Sequence, residues 1–496
     1  MPTRKILSGT YWLLAGRLVS NAIGLASTLI AARFLLPDDF GLVAIAMGVF
    51  GIAGALVELP VGIALVQLET ATKADYNTAW TINVIRGGLV AALMAVSGWP
   101  VSIIYDDPRL ITVILALALY PALLGLRNSW FEAYTRDMDF RWEALVEAST
   151  KLVSFAVVIL VCLMTRSYWA LPLGLIASGV TALLLSFILS PYLPRFCLSE
   201  FRKFFGFSVW LGLGHIADSL RDTAATFLIG KFSGHAKLGA WSVGNLFADR
   251  LELVLYAPME RTLFAAFSSI RQDRPQLQAT YLTAWHTGAA FIFPVCAGMG
   301  LVSQEIVAIA LGPKWEIAGR VLAFLAPAMA LNLLSGLATS LLTSLGVTRA
   351  VFEAKAVMAV LQITLILIGV QLAGLTGALC AVAASALLWM ALSTILVARH
   401  AGISLQSQAR AIARSGLAAL IMSIAVLAAR QGLFWMADES LTHILLRGTC
   451  LSCLGALTYV SGHLILWHLS GRPPGIEHRF MTLFAKRSSS HQGHEL

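Results

Sequence analysis

Residues 375–398 read LTGALCAVAASALLWMALSTILVA, 24 positions without one charged side chain. A helix rises about 1.5 Å per residue, so this stretch alone crosses a hydrocarbon core of about 30 Å. The same reading recurs along the chain and gives about 14 candidate membrane spans. Their limits are 9–36, 40–66, 78–99, 109–128, 146–164, 168–192, 204–231, 237–266, 280–304, 318–345, 354–372, 375–398, 411–429 and 441–468. The count is twelve if spans 5 and 11, the shortest, are set aside. The first span is too long for a cleaved signal peptide, and Pro37-Asp38-Asp39-Phe40-Gly41 makes a poor cleavage site.

Composition agrees. Hydrophobic residues make up 58% of the 496 and charged residues 12%, and the mean hydropathy is +0.79. A soluble chain of this length needs a charged surface that this one lacks. The expected class is therefore an all-α polytopic membrane protein. The net charge of +9 is informative once placed. With both ends in the cytoplasm, about 20 Lys and Arg fall on the inner side and about 7 on the outer. The inner set includes Arg4, Lys5, Arg136, Arg195, Arg202, Arg271, Arg349 and Arg414. Anionic headgroups are a sufficient partner for such loops, so the basic balance needs no nucleic acid.

Cysteine and histidine carry little signal. Cys450 and Cys453 have C-x-x-C spacing without a surrounding βαβ pattern, and read as small residues on a packing face. The histidines show no H-x-x-x-H or H-E-x-x-H spacing, so no metal site and no cofactor is expected. There is no G-x-S-x-G, no P-loop and no ordered extramembrane domain with paired carboxylates, which argues against an enzyme. The missing Walker A motif excludes a self-contained ATP-driven pump.

A short internal repeat sets the organisation. Arg33-Phe34-Leu35-Leu36-Pro37-Asp38-Asp39-Phe40-Gly41 closes span 1 and opens span 2. Lys231-Phe232-Ser233-Gly234-His235-Ala236-Lys237-Leu238-Gly239 does the same between spans 7 and 8. Six spans separate the copies, so both halves enter the membrane from the same side. That is a parallel repeat about an axis along the membrane normal, with substrate sites between the halves. The expected domains are a six-helix lobe over 1–200, a second over 201–400, two additional transmembrane helices over 401–470, and a cytoplasmic tail over 471–496. His478, Phe480, Met481, Phe484 and Lys486 suggest a short amphipathic helix in that tail.

Ionised side chains at mid-membrane cost several kcal/mol, so each one is a functional candidate. They concentrate in the first spans of each half. Arg17, Glu58 and Arg86 lie in spans 1 to 3; His215, Asp218, Arg221 and Asp222 in span 7; Asp249, Arg250, Glu252, Glu260 and Arg261 in span 8. His215, Asp218, Arg221 and Asp222 share one helix face at i, i+3, i+6 and i+7. Arg17 lies about 12 Å into span 1. Arg17, Arg86, Arg221 and Arg250 are the candidate substrate-binding set, lining a polar cavity. Arginine suits phosphate because its planar fork donates two hydrogen bonds and stays charged when desolvated. Glu58, His215, Asp218, Asp222, Asp249 and Glu252 are candidates for coupling or support. The structural alternative is that these acids and arginines neutralise one another and pin the bundle; it is favoured for Arg261 and Glu260.

The residues from Ala32 to Ala44, Ala-Arg-Phe-Leu-Leu-Pro-Asp-Asp-Phe-Gly-Leu-Val-Ala, resemble the A-R-x-L-x-P-x-D-F-G-L-V-A signature of bacterial polysaccharide exporters. These are the Wzx-type lipid-linked oligosaccharide flippases of the multidrug/oligosaccharidyl-lipid/polysaccharide superfamily. Softer matches follow in order: Ile104-Tyr105-Asp106-Asp107-Pro108, Asp137-Met138-Asp139-Phe140, Ser167-Tyr168-Trp169-Ala170-Leu171 and Leu311-Gly312-Pro313-Lys314-Trp315. The resemblance runs from about residue 5 to 400 and is strongest before 175. One departure is Glu58-Leu59-Pro60-Val61-Gly62, where the family often has Asp before Gly. Arg17 is similar in position to cavity arginines of the related lipid II flippases.

The resemblance implies two six-helix lobes, related by a pseudo-two-fold along the membrane normal, around a V-shaped cavity. It implies alternating access in the bacterial inner membrane. The substrate would be an oligosaccharide repeat unit on undecaprenyl diphosphate, made on the cytoplasmic face and turned to the periplasmic face for exopolysaccharide or O-antigen assembly. Partners would be that lipid, membrane lipids, and a polymerase with its chain-length machinery. Two rivals are a multidrug exporter of the same superfamily and a polysaccharide polymerase. An arginine-bearing cavity argues against the first, and short outer loops against the second.

The topology has a direct test. With both termini cytoplasmic and the 38–40, 102–108 and 312–317 loops outside, an impermeant thiol reagent applied to spheroplasts labels Asp39→Cys and spares Arg136→Cys. The opposite pattern overturns the orientation.

Overall fold

The computed structural model describes residues 2–57, 61–62, 65, 68, 71–137, 139–202, 209–432 and 440–471; the side chains of 2–11, 13–15, 209–218 and 261 lie outside that description. Every element among the described residues is helical. Nine of these helices are long and apolar enough to cross a membrane, or ten if one bent pair counts as a span. The chain is a multi-pass membrane protein. The tail helix expected after residue 471 lies outside the described residues.

Contacts divide the chain into two compact units, Met1–Ser242 and Val243–Leu496. The first holds α1 (Pro2–Phe34), α2 (Pro37–Leu56), α3 (Lys73–Tyr105), α4 (Arg109–Gly125), α5 (Glu132–Arg136), α6 (Arg141–Thr165), α7 (Ala170–Ile188) and α8 (Val209–Ser233). The boundary falls within α9 (His235–Leu251). The second unit continues through α10 (Ala257–Ser269), α11 (Arg274–Leu301), α12 (Ser303–Leu311), α13 (Glu316–Ser344), α14 (Thr348–Ala401), α15 (Leu405–Gly432) and α16 (Leu441–Leu469).

Local chemistry explains the boundaries. α2 begins with Pro37, whose missing N–H costs nothing there, and Asp39 accepts from the Leu36 N–H at 2.9 Å. Asp38 and Asp39 complement the positive end of the helix dipole. Thr72 and Asp75 form a capping box that starts α3. α14 runs 54 residues but breaks at Ala373 and Gly374, where Gly374 takes φ 57°. Only glycine adopts that conformation cheaply. The break lies between the segments 354–372 and 375–398 read as separate spans.

In the first unit α1 packs on α6, α6 on α7, α3 on α4, and α2 on α4 and α8. In the second, α11 lies between α13 and α15, with Tyr281 and Trp285 fully buried along it. α15 pairs with α16 and packs along α11, so the last two helices are built into the second unit. Cys450 and Cys453 are exposed, which corrects their reading as packing-face residues.

The repeat read in the sequence has a structural counterpart inside the first unit. A Cβ at Gly41 would lie 2.0 Å from the His235 carbonyl oxygen, and one at Gly239 would lie 1.8 Å from the Pro37 carbonyl oxygen. The ninth residue of each copy thus rests on the fifth residue of the other. The starts of α2 and α9 meet backbone to backbone, as small residues allow between membrane helices.

Gly239→Val should therefore force the two helices apart. Overpacking of this kind costs about 1–3 kcal/mol or more, read as a lower melting temperature of the detergent-purified protein. Gly24→Ala, where a Cβ meets nothing within 4 Å, should not lower that temperature.

Candidate functional site

The arginines expected to bind substrate fall on several helices. Arg17 on α1 is exposed. Its neighbour Gly16 packs so closely on Ala144 of α6 that a Cβ would lie 2.6 Å from the Ala144 Cβ. This contact brings the Arg17 charge to bear on Glu143, which also feels Glu147 and Arg127. Arg127 acts in turn on Glu132 of α5. Arg17 thus belongs to a mixed cluster of basic and acidic groups rather than standing as an isolated cation. The span reading missed Glu143 and Glu147, because Glu143 precedes the 146–164 span and Glu147 is its second residue.

Arg86 on α3 is half-buried. Arg221 on α8 donates from Nε and Nη2 to Asp222 Oδ1 at 3.0 and 2.9 Å. The Arg221 side chain is 31% exposed and the Asp222 side chain 65%. The expected grouping of these two is therefore present as a direct ion pair. Glu58 lies outside the described residues, as do the side chains of His215 and Asp218.

Arg250 closes α9 and is half-buried; Asp249 beside it is exposed and accepts from Asn245 Nδ2 at 3.0 Å. A single π turn, Glu252–Tyr256, follows directly and carries the exposed Glu252. One extra residue per turn re-aims the side chains on either side of it. Glu260 in α10 is exposed, and the Arg261 side chain is outside the description. Arg17, Arg86 and Arg221 belong to the first unit and Arg250 to the second.

Two ionic centres were not found from the sequence. The first, in the first unit, links three loops. Arg109 Nη2 donates to Asp107 Oδ2 at 2.7 Å and to Asp38 Oδ2 at 3.2 Å. Its Nε donates to both Asp107 oxygens, at 3.1 and 3.0 Å. The guanidinium also lies 6.0 Å from the Tyr168 ring centre. His235 Nδ1 stands 3.4 Å from Asp107 Oδ2 and 4.0 Å from Asp38 Oδ1. Tyr105 Oη donates to the Phe227 carbonyl at 2.8 Å, and Lys231 Nζ donates to the Ile104 carbonyl. Burial raises the pKa of Asp107, but the hydrogen bonds and charge of Arg109, with His235 adding to them, outweigh it and hold the carboxyl below its usual range.

The second centre lies in the second unit. Glu305 on α12 is 1% exposed and its Oε1 accepts from Arg430 Nη2 at 2.6 Å and from Arg447 Nε at 2.9 Å. Arg430 Nη1 also donates to the Leu301 carbonyl at 3.3 Å. An apolar groove of about 360 Å³ opens beside it, between α11, α15 and α16. A lone Glu in an apolar stretch was the available signal. Among the described residues no group of three or more His, Cys, Asp or Glu side chains could hold a metal ion.

Comparison with known proteins adds family and fold. A sequence model of the family described as polysaccharide biosynthesis protein matches residues 30–320. Lipopolysaccharide biosynthesis protein WzxC of Escherichia coli (strain K12) is 23% identical over 382 residues, covering 75% of this chain and 77% of that one. Succinoglycan biosynthesis transport protein ExoT of Rhizobium meliloti (strain 1021) is 23% identical over 300 residues, 60% of each chain. Among solved structures, the lipid II flippase MurJ in an inward closed conformation superposes with a TM-score of 0.70, at 13% identity, covering 92% of this chain and 98% of that one. An inward-facing multidrug resistance MATE family transporter gives 0.56 at 11% identity, over 78% and 98%. Such low identities establish a shared fold and nothing finer.

Asp107 supplies a pH test. A carboxyl whose pKa is lowered by folding contributes stability above its unfolded value, about 3.9, and loses it as pH falls through the folded value. Asp107→Asn should lower the melting temperature at neutral pH. Its decline in melting temperature below about pH 4 should be shallower than the parent's. Parallel pH curves for the two proteins would remove Asp107 from this role.

Proposed function

This chain belongs to the polysaccharide biosynthesis protein family, and we propose that it is a flippase for an oligosaccharide repeat unit carried on undecaprenyl diphosphate. It moves this lipid from the cytoplasmic to the periplasmic face of the bacterial inner membrane for exopolysaccharide or O-antigen assembly. The observation that carries the reading is the match over residues 30–320, a region that holds Arg86 on a membrane-length helix and Arg221 and Arg250 on α8 and α9. A polysaccharide-building family, and guanidinium groups on the helices of this chain, fit a substrate whose linkage to lipid is a diphosphate.

The finer architecture belongs to the same proposal. Fourteen spans form two six-helix lobes with two further helices, both termini are cytoplasmic, and the lobes alternate access about a pseudo-two-fold. The reciprocal contact of Gly41 and Gly239 supports equivalence of the two repeat copies. Arg17, Arg86, Arg221 and Arg250 meet the diphosphate, and a polymerase consumes the product. A multidrug exporter remains the rival, since a MATE family transporter shares the fold. Arginines favour an anionic cargo over a cationic drug.

Energy must come from an ion gradient, the membrane potential or consumption of the product. Asp218 and Asp222 are the carboxylates proposed for proton coupling. A diphosphate that takes Arg221 must break its ion pair with Asp222, which ties substrate binding to that carboxylate.

Arg221→Ala or Arg250→Ala should cut polymer export about tenfold or more, since a hydrogen bond to a charged group is worth about 1.5–3 kcal/mol. Protein levels should stay near normal. Lys should rescue partly, because it keeps the charge and loses the fork. Reconstituted vesicles loaded with a defined lipid-linked oligosaccharide provide the direct assay. There, Asp218→Asn and Asp222→Asn variants that still respond to an imposed pH gradient as the parent does would refute coupling through α8.

A further inference from the structure

The ionic centre around Arg109 sits where the two repeat copies touch. Asp38 lies in the first copy and His235 in the second, and Asp107 and Arg109 come from the turn between α3 and α4. The same two segments meet through Gly41 and Gly239. Nothing can slide between α2 and α9 at this end while both contacts hold. In the topology proposed above this end faces the periplasm.

His235 stands where a proton on its ring would act on two carboxylates at once. Asp38 and Asp107 are two anions, and Arg109 is shared between them as one cation. His235 stands within reach of both carboxylates, and its side chain is only 12% exposed. A protonated ring adds a second cation that bridges α2, α9 and the α3–α4 turn. A neutral ring leaves Arg109 as the one side chain that pairs with both carboxylates. Three other groups face this centre. Tyr105 presents its ring, 6.2 Å between centres. Lys231 brings a charge to the centre but donates to the Ile104 carbonyl rather than to a carboxylate. Asp39 is engaged by the Leu36 N–H.

We propose that Asp38, Asp107, Arg109 and His235 form a proton-operated latch, closed when His235 is protonated and weakened when it is neutral. The latch holds the starts of α2 and α9 together, and their separation opens the path outward. Its proton enters and leaves on the same face of the membrane. The latch therefore sets how readily that face opens as a function of local pH, and transports no proton itself. It is distinct from the coupling route through Arg221 and Asp222. Its role in transport rests on the alternating-access reading; its response to pH does not.

The test uses the full chain in nanodiscs, with its native cysteines replaced and spin labels at Leu36→Cys and Lys237→Cys, both exposed positions. Distances are measured by pulsed electron paramagnetic resonance on samples frozen from about pH 5.5 and about pH 8.5, either side of the ordinary histidine range. No substrate is present, so the outcome is independent of what the protein carries. The parent should show one short distance at the acid pH and a longer population at the alkaline pH. One proton can change the ratio of the two by at most about tenfold per pH unit. His235→Gln should give the same mixture at both values, and His235→Lys should hold the short distance at both. If His235→Gln does not fold, the lysine variant still decides. A parent with identical distributions at both pH values, a glutamine variant that keeps the response, or a lysine variant that opens at high pH would each overturn the latch.

Discussion

Two backbones without side chains between them set the geometry of this protein. Gly41 rests on the carbonyl of His235 and Gly239 on that of Pro37. A single methyl group at either position has no room. Everything at that end of the first unit follows from this closeness. The caps of α2 point into the same turn as the first residue of α9. Asp38 comes near His235, and the α3–α4 turn can place Asp107 and Arg109 against both. In membrane interiors, where lipid is as apolar as the helices, such close approach is itself a source of association. The polar centre then adds direction to a contact that packing alone leaves unspecific.

The helical layout was open to reading because hydrocarbon imposes a single rule: backbone groups must be satisfied within each segment. The apolar runs at 354–372 and 375–398 come out as one helix with a break at Ala373 and Gly374, where a glycine interrupts the run. The two similar segments were legible as a basic residue, Phe and Gly at fixed spacing, but not that they touch each other. Partners far apart in the chain were not legible either. His235 and Asp107 are separated by more than a hundred positions, and no periodicity links them. Glu305 falls one position past the limit of span 9, and its two arginines close one later helix and open another. Arg17 was visible as a cation, but its acidic neighbours Glu143 and Glu147 were hidden by their place at a helix start. Charge on one element can be read from sequence; the company it keeps across elements cannot.

The centre at Glu305 also gives the chain an order of completion. The carboxylate is nearly sealed, and both of its partners come later, Arg430 by 125 residues and Arg447 by 142. At about 5–20 residues per second, a ribosome needs on the order of ten seconds to deliver the first arginine and somewhat longer for the second. Throughout that interval Glu305 lacks both of its cations and the helix α16, whose Gly448 lies against it. The last two helices thus act as a clasp fastened at the end of synthesis. A chain cut short before Arg430 keeps an open, acid-bearing face, and membrane proteases can recognise such a face as unfinished.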